Sequence, residues 1–335
     1  MPKNLDQTST ADTDTPHSEI IELPVEQEAR PKEAEPAAPS TEAQAPPWYQ
    51  FVKNSTPQQV KERFAKEIAE ILKQHGLEQT CCLALFEPSD SIDTFDLDEI
   101  FGALNMLNSD HTKDVVLFLL SPGGAGEPAY QISKLCKSFA KASFKVIVPR
   151  FAKSAATLLA IGADEIHMGP LGQLGPIDPQ ISGLPALGVS RALMTIASVA
   201  AQYPKSAEMF ARYLRLALTV EQIGYCDRIA DSAMQYAERL LSTKPNLIPR
   251  AGIIAKELVH EYKDHNFVID LDEAQKHLGS DWVKTGTSEL AAAEAIYNLF
   301  EAVNYFYGLS QSKRILIVGG AALVEQGILV LEKKS

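Results

Sequence analysis

Apolar residues recur along this chain with two different spacings. In QQVKERFAKEIAEILKQHG, residues 58–76, Val60, Phe64, Ile68 and Ile71 lie three to four apart. That period predicts an amphipathic helix closing at Gly76, and Thr56-Pro57 supplies an N-cap with proline at the first helical position. The runs CCLALFE (81–87), VVLFLL (115–120), FKVIV (144–148) and EIHM (165–168) are short and continuously apolar. They predict strands buried on both faces. DLDEIFGALNMLN and the segment from Glu127 to Ala140 fall between them and predict helices. Strand and helix in alternation imply an α/β fold, a mostly parallel sheet with helices outside.

A loop rich in Gly and Pro covers 169–188, and from about Leu193 the pattern turns helical. One long helical segment runs from Ala207 to Leu241, with others at 251–262, 272–277 and 288–307. Ile315–Leu331 is apolar again, but it holds Glu325, Gln326 and three glycines. This composition predicts a packed strand or hairpin extension over 311–335 rather than a membrane span.

The charge pattern separates one region. Of the net charge of −12, residues 1–47 carry −7 in a stretch rich in Pro, Ala, Glu, Thr and Ser. Such a stretch buries too little apolar surface to offset its ordering entropy, so a disordered acidic tail is expected there. Residues 48–310 then form the main domain. No basic stripe is present, which argues against a nucleic-acid partner. The opening MPKNLDQTSTADTDTPH has no apolar core and does not read as a signal peptide. Cys81, Cys82, Cys136 and Cys226 form no C-x-x-C pair and have no metal-ligand spacing with histidine. They read as reduced thiols of a cytoplasmic protein, with no metal or cofactor expected.

Three stretches carry candidate chemistry. LLSPGGAGEP (119–128) ends a buried strand on glycines whose N–H groups could cradle a phosphate or an oxyanion. The spacing fits neither G-x-x-x-x-G-K-[ST] nor G-x-G-x-x-G. A plain strand-to-helix turn is the alternative. FAKSAATLLAIGAD (151–164) sets Ser154 between a strand and a helix, where a hydroxyl serves either as N-cap or as nucleophile. As nucleophile, its oxyanion would meet N–H groups of Ala155 and of Gly123 or Gly124. LGQLGPIDPQI (171–181) holds Asp178 in a loop too apolar for a solvated turn, satisfied by backbone donors or held for a partner such as histidine.

SPGG, AKSAATLLAIGAD and LGPIDPQ in this order and spacing resemble the ClpP/crotonase-like serine peptidases. LGPIDPQ is more narrowly similar to the serine dehydrogenase proteinases of that superfamily. The resemblance covers about 57–310. It implies a ClpP/crotonase-like fold, a serine peptidase acting on peptide or protein substrates, and a homo-oligomer. Ser154 falls at the nucleophile, and Gly123, Gly124 and Ala155 at the oxyanion hole. The position where ClpP carries its histidine aligns with Asp178. The serine dehydrogenase proteinases follow a Ser, Asp, His order, and DHNFVIDLDEAQKHLG (264–279) resembles their C-terminal motif, which implies His265 as base.

Other histidines fit structural roles better: His260 on an apolar helical face, His277 and His75 near helix ends, His167 within a strand. A Ser–Lys dyad of the signal peptide peptidase type is the variant mechanism. Lys205 in YPKSAEMF has the better opportunity there, because Lys153, adjacent to Ser154, is expected to point elsewhere. A non-catalytic peptide-binding or scaffold protein on the same fold is the second class. Acyl-CoA chemistry, also found on crotonase-like sheets, fits SPGG and Ser154 less well.

Overall fold

The computed structural model describes residues 47–181, 184–217 and 219–332. The expected acidic tail therefore lies outside the described residues, apart from Pro47. Strands β1 (Cys81–Phe86), β2 (Val115–Leu120), β3 (Phe144–Val148), β4 (Phe151–Ala152), β5 (Glu165–Met168), β6 (Gln173–Leu174), β7 (Gln180–Ile181), β8 (Leu184–Pro185), β9 (Val283–Lys284), β10 (Lys313–Gly320) and β11 (Ile328–Glu332) make three sheets. The main sheet has seven strands in the order β11-β10-β1-β2-β3-β5-β9. From β1 to β9 every pairing is parallel, with Leu85 beside Leu119 and Val148 beside Met168. The apolar C-terminal stretch forms an antiparallel hairpin, and β10 pairs with β1.

The continuous apolar strands have the double burial their composition predicts. Leu83, Leu85, Leu117, Leu119 and Val146 enter one core. Their alternates Cys82, Ala84, Phe86, Phe118 and Ile147 enter the other. Helices α1 (Pro47–Asn54) and α2 (Pro57–Gln74) cover the second face, joined by a late helix described below. Thr56 caps α2 in a reciprocal box with Gln59. Leu72, not Ile71, is its last buried residue. Helices α3 (Thr94–Asn108), α4 (Gly126–Phe139) and α5 (Ala155–Ala160) cover the first face.

Helix α6 spans Ala186–Gln202. The predicted long helix is two, α7 (Ala207–Ala217) and α8 (Val220–Leu241), the second starting on a capping box of Thr219 with Gln222. After α9 (Ala251–Lys256) the chain widens into a π-turn at Glu257–Glu261. Helices α10 (Leu271–Leu278) and α11 (Ser288–Gln311) complete the chain, and α11 packs Phe300 and Tyr307 into the second core. The segment after β2 and the segment after β3 both leave the sheet at the carboxyl ends of adjacent parallel strands, where open α/β sheets place their ligands.

Candidate active site

Between β3 and α5 the chain makes a sharp turn. Ser121 N–H donates to Phe151 O at 3.1 Å and Lys153 N–H donates to Ser121 O at 3.0 Å, tying the turn to the end of β2. Ser154 then adopts φ 51° and ψ −119°, a backbone state that a residue with a Cβ rarely holds. Its side chain makes no capping hydrogen bond. Ser154 thus occupies the N-cap position without capping. Strain of this kind at a strand-to-helix turn pushes a hydroxyl outward. Thr157, buried in α5, braces the turn. Its Oγ1 donates to Ala152 O at 2.7 Å and accepts the Gly175 N–H at 3.0 Å. Nothing in the sequence analysis singled out Thr157; its one signal was a hydroxyl inside the apolar run AATLLA.

The glycine loop lies directly against this turn. A Cβ on Gly123 would come within 2.7 Å of Lys153 O and 2.8 Å of Ser154 Cβ, and one on Gly124 within 2.4 Å of the Ile92 backbone. Their φ values are 108° and 153°. Only glycine meets both demands. Ile92 holds the loop by donating to Gly123 O at 2.9 Å and accepting from Ala125 N–H at 2.8 Å. Gly123 N–H is already committed, donating to Ser121 Oγ at 3.1 Å, while that hydroxyl donates to Glu87 Oε1 at 2.9 Å. Among the described residues, no protein acceptor takes the N–H of Gly124 or of Ala155.

Asp178 and His265 come together from distant parts of the chain. The Asp178 loop is pinned by Ile177 N–H donating to Leu258 O at 2.8 Å. His265 stands in a turn where Phe267 N–H returns to Asp264 O at 3.1 Å and Phe267 packs on Tyr262. Leu174 and Ile269 exchange backbone hydrogen bonds of 2.9 and 3.1 Å, bringing the two loops side by side. His265 Nδ1 lies 3.9 Å from Asp178 Oδ2. That is ion-pair range but too long for a hydrogen bond. Burial raises the Asp178 pKa above the usual carboxylate range, with His265, Arg191 and His260 pulling the other way. β6 pairs with β4, the strand that leads into the Ser154 turn, and its Leu174 pairs with Ile269, so the loops that carry Asp178 and His265 are tied beside that turn. No described hydrogen bond joins Ser154 Oγ to His265 or to a lysine.

The remaining candidates are elsewhere or otherwise engaged. Lys205 stands exposed on the 3-10 turn Pro204–Ser206, with no described hydrogen bond or ion pair. His167 is buried between Thr287 Oγ1 at 2.8 Å and Glu165 Oε2 at 2.9 Å. His277 pairs with Glu257 at 2.9 Å and meets Tyr262 Oη at 2.8 Å. His260 offers its backbone carbonyl to Arg191. Among the described residues, no cluster of acidic, His and Cys groups could hold a metal ion. No helix of the described residues is long and apolar enough to cross a membrane.

Residues 52–201 match the family model of the ClpP-like SDH-type serine proteinases. This is the family that SPGG, AKSAATLLAIGAD and LGPIDPQ resemble, and it supports a serine peptidase. Ser154, the glycine loop and Asp178 fall inside the matched segment, whereas His265 falls beyond it. The uncharacterized proteins MJ0137 and MJ1495 of Methanocaldococcus jannaschii are 39% identical over 98 residues and 36% identical over 97. Each match covers 29% of this chain and 33% or 32% of the relative, so it spans about a third of these curated relatives. Among solved structures, the 1510-N membrane-bound stomatin-specific protease is similar at 15% identity and TM-score 0.40, over 68% of this chain and 86% of that one. ClpP1 from Listeria monocytogenes is similar at 17% identity and TM-score 0.38, over 65% and 99%.

Proposed function

We propose that this chain is a serine peptidase with Ser154 as nucleophile, His265 as general base and Asp178 as the group that orients the imidazole. The observation that carries the reading is the uncapped, positive-φ Ser154 packed against Gly123–Gly124, with the Asp178 and His265 loops tied to β6, which pairs with β4. In the reaction, Ser154 Oγ attacks the peptide carbonyl as His265 removes its proton. The free N–H groups of Gly124 and Ala155 receive the oxyanion. Gly123 supports them through its bond to Ser121 rather than donating itself. The imidazolium then protonates the leaving amine, and a water deprotonated by His265 releases the acyl group.

At 3.9 Å the His–Asp contact is loose, and active-site hydrogen bonds often shorten only when substrate binds. The same looseness, together with the lack of a Ser154–His265 bond, favours a second reading: a peptide-binding protein that does not cleave. A fluorophosphonate probe separates the two. Labelling of the native chain and its loss in Ser154→Ala supports the peptidase. A folded native chain left unlabelled supports the binder. Labelling that survives His265→Ala but not Lys205→Ala would transfer the base to the lysine.

The reading extends to a cytoplasmic homo-oligomer. The four cysteines are unpaired and buried, which suits a reducing compartment. Helix α7 has no buried residue although Met209, Phe210, Tyr213 and Leu214 share a face, which suits a partner copy.

A further inference from the structure

Lys153 immediately precedes the nucleophile, yet its ammonium is spent on two other segments. Nζ donates to Leu174 O at 3.1 Å and to Phe267 O at 3.2 Å. Leu174 lies four residues before Asp178, and Phe267 two residues after His265. The stem passes over Gly175, where a Cβ would stand 2.6 Å from Lys153 Cδ. The backbone of Lys153 serves the third segment. Its N–H donates to Ser121 O, and its carbonyl accepts the Ala156 N–H at 2.8 Å beside Gly123. One residue thus touches the glycine loop, the nucleophile turn, the aspartate loop and the histidine loop.

We propose that Lys153 is a positioning residue: its bonds to Leu174 O and Phe267 O lock the Asp178 and His265 loops to the Ser154 turn. The inference rests on the peptidase reading for its catalytic consequence, but the lock itself is a property of the fold. An ammonium bridging two carbonyls is a donor with no lone pair to offer, so the role of general base does not suit it. Burial lowers the pKa of Lys153, and the two carbonyl acceptors favour the protonated form. Both bonds are made by the terminal Nζ, so a side chain cut short of it loses the bridge.

The full chain is compared as native, Lys153→Met and Lys153→Arg by hydrogen–deuterium exchange and fluorophosphonate labelling across pH. Lys153→Met keeps most of the stem and loses the donors, so faster exchange is expected at 264–269 and 174–178, with β1–β3 unchanged. Its labelling rate should fall roughly ten- to a hundredfold, the scale of a misplaced catalytic group. Lys153→Arg should restore slow exchange and most of the rate. The pH midpoint of labelling should shift in Lys153→Met and return in Lys153→Arg. Unchanged loop exchange in Lys153→Met would overturn the lock. Faster exchange with an unchanged rate and pH midpoint would overturn the positioning role. Equal loss of labelling in both variants without a change in exchange would make Lys153 the base. A native chain that does not label defeats the peptidase reading and with it the catalytic role, while exchange still reports whether the lock exists.

Discussion

Asp178 Oδ2 faces His265 Nδ1 across 3.9 Å, from loops separated by more than eighty residues. Asp178 also lies within electrostatic reach of Arg191 and His260. Burial is the larger influence on Asp178, and it raises the pKa above that of an exposed carboxylate. A carboxyl whose folded pKa is raised is charged at a cost in the native state. Its favourable contribution is complete below the unfolded pKa and disappears as pH rises through the folded one.

Asp178→Asn should therefore separate stability from activity. The amide cannot ionise, so at pH 7 the variant should melt at a higher temperature than the native chain. The gap should close as pH falls toward 3.8, where the native carboxyl is also neutral. Labelling by the fluorophosphonate should drop by about two to four orders of magnitude, because the imidazole loses its orienting charge. Thermal melts from pH 3 to 8 with parallel labelling check both. A variant that melts lower at pH 7 and labels normally would remove Asp178 from the site.

Lys244 carries the opposite charge and titrates in the opposite sense. Burial lowers its pKa from 10.5 to about 8, although Asp164 opposes the shift. Nζ still bonds Gly162 O at 2.9 Å and sits 5.1 Å from the Trp282 ring. Between about pH 8 and 10.5 the unfolded chain holds a proton that the native chain has released, so this group makes stability rise with pH over that window. Lys244→Met removes that term. Across the window, native stability should rise relative to the variant by roughly 3 kcal/mol at most, as read by urea denaturation. A constant difference would show that the ammonium is not desolvated.

Helix α7 tests the oligomer. Tyr213 is 64% exposed, Met209 60% and Leu216 89%. Scattered exposed apolar groups are ordinary, but several on one face of one helix suit the proposed contact with a second copy. Light scattering should give more than one copy for the native chain. Met209→Glu with Tyr213→Glu should lower the mass while changing subunit stability by no more than about 0.5 kcal/mol per site. A native chain that runs as a monomer at micromolar concentration removes this interface.

Much of this was legible along the chain because it depended on local identity. β3 and β5 coincide with FKVIV and EIHM, since a strand buried on both faces leaves no polar position to blur its ends. SPGG was readable for a similar reason: two close backbone approaches at Gly123 and Gly124 admit no other residue. What escaped was set by tertiary contact. Ile71 and Leu72 are equally apolar, and only the packing of α2 decides which is covered. Lys153 was expected only to point away from Ser154 and Thr157 was not singled out, since their partners at 174, 175 and 267 are distant in sequence. The division of α7 from α8 was visible as Thr219 and Gln222, yet the apolar period runs across it.

A capping serine and a strained nucleophile respond differently when the side chain is removed. If Ser154 were a cap, Ala would cost about 1 kcal/mol and Gly a few tenths, and neither would exceed the native stability. Here the hydroxyl makes no cap bond and φ is 51°. Ala keeps the Cβ that makes this φ unfavourable, so Ser154→Ala should match the native chain closely. Gly removes it. The relief of about 1–3 kcal/mol exceeds the added chain entropy of roughly 0.5–1 kcal/mol. Ser154→Gly should therefore be more stable than the native protein by about 1 kcal/mol in urea denaturation. Both variants should be silent to the fluorophosphonate. A glycine variant less stable than native would mean that the turn is unstrained, and Ser154 would lose its structural claim to be the nucleophile.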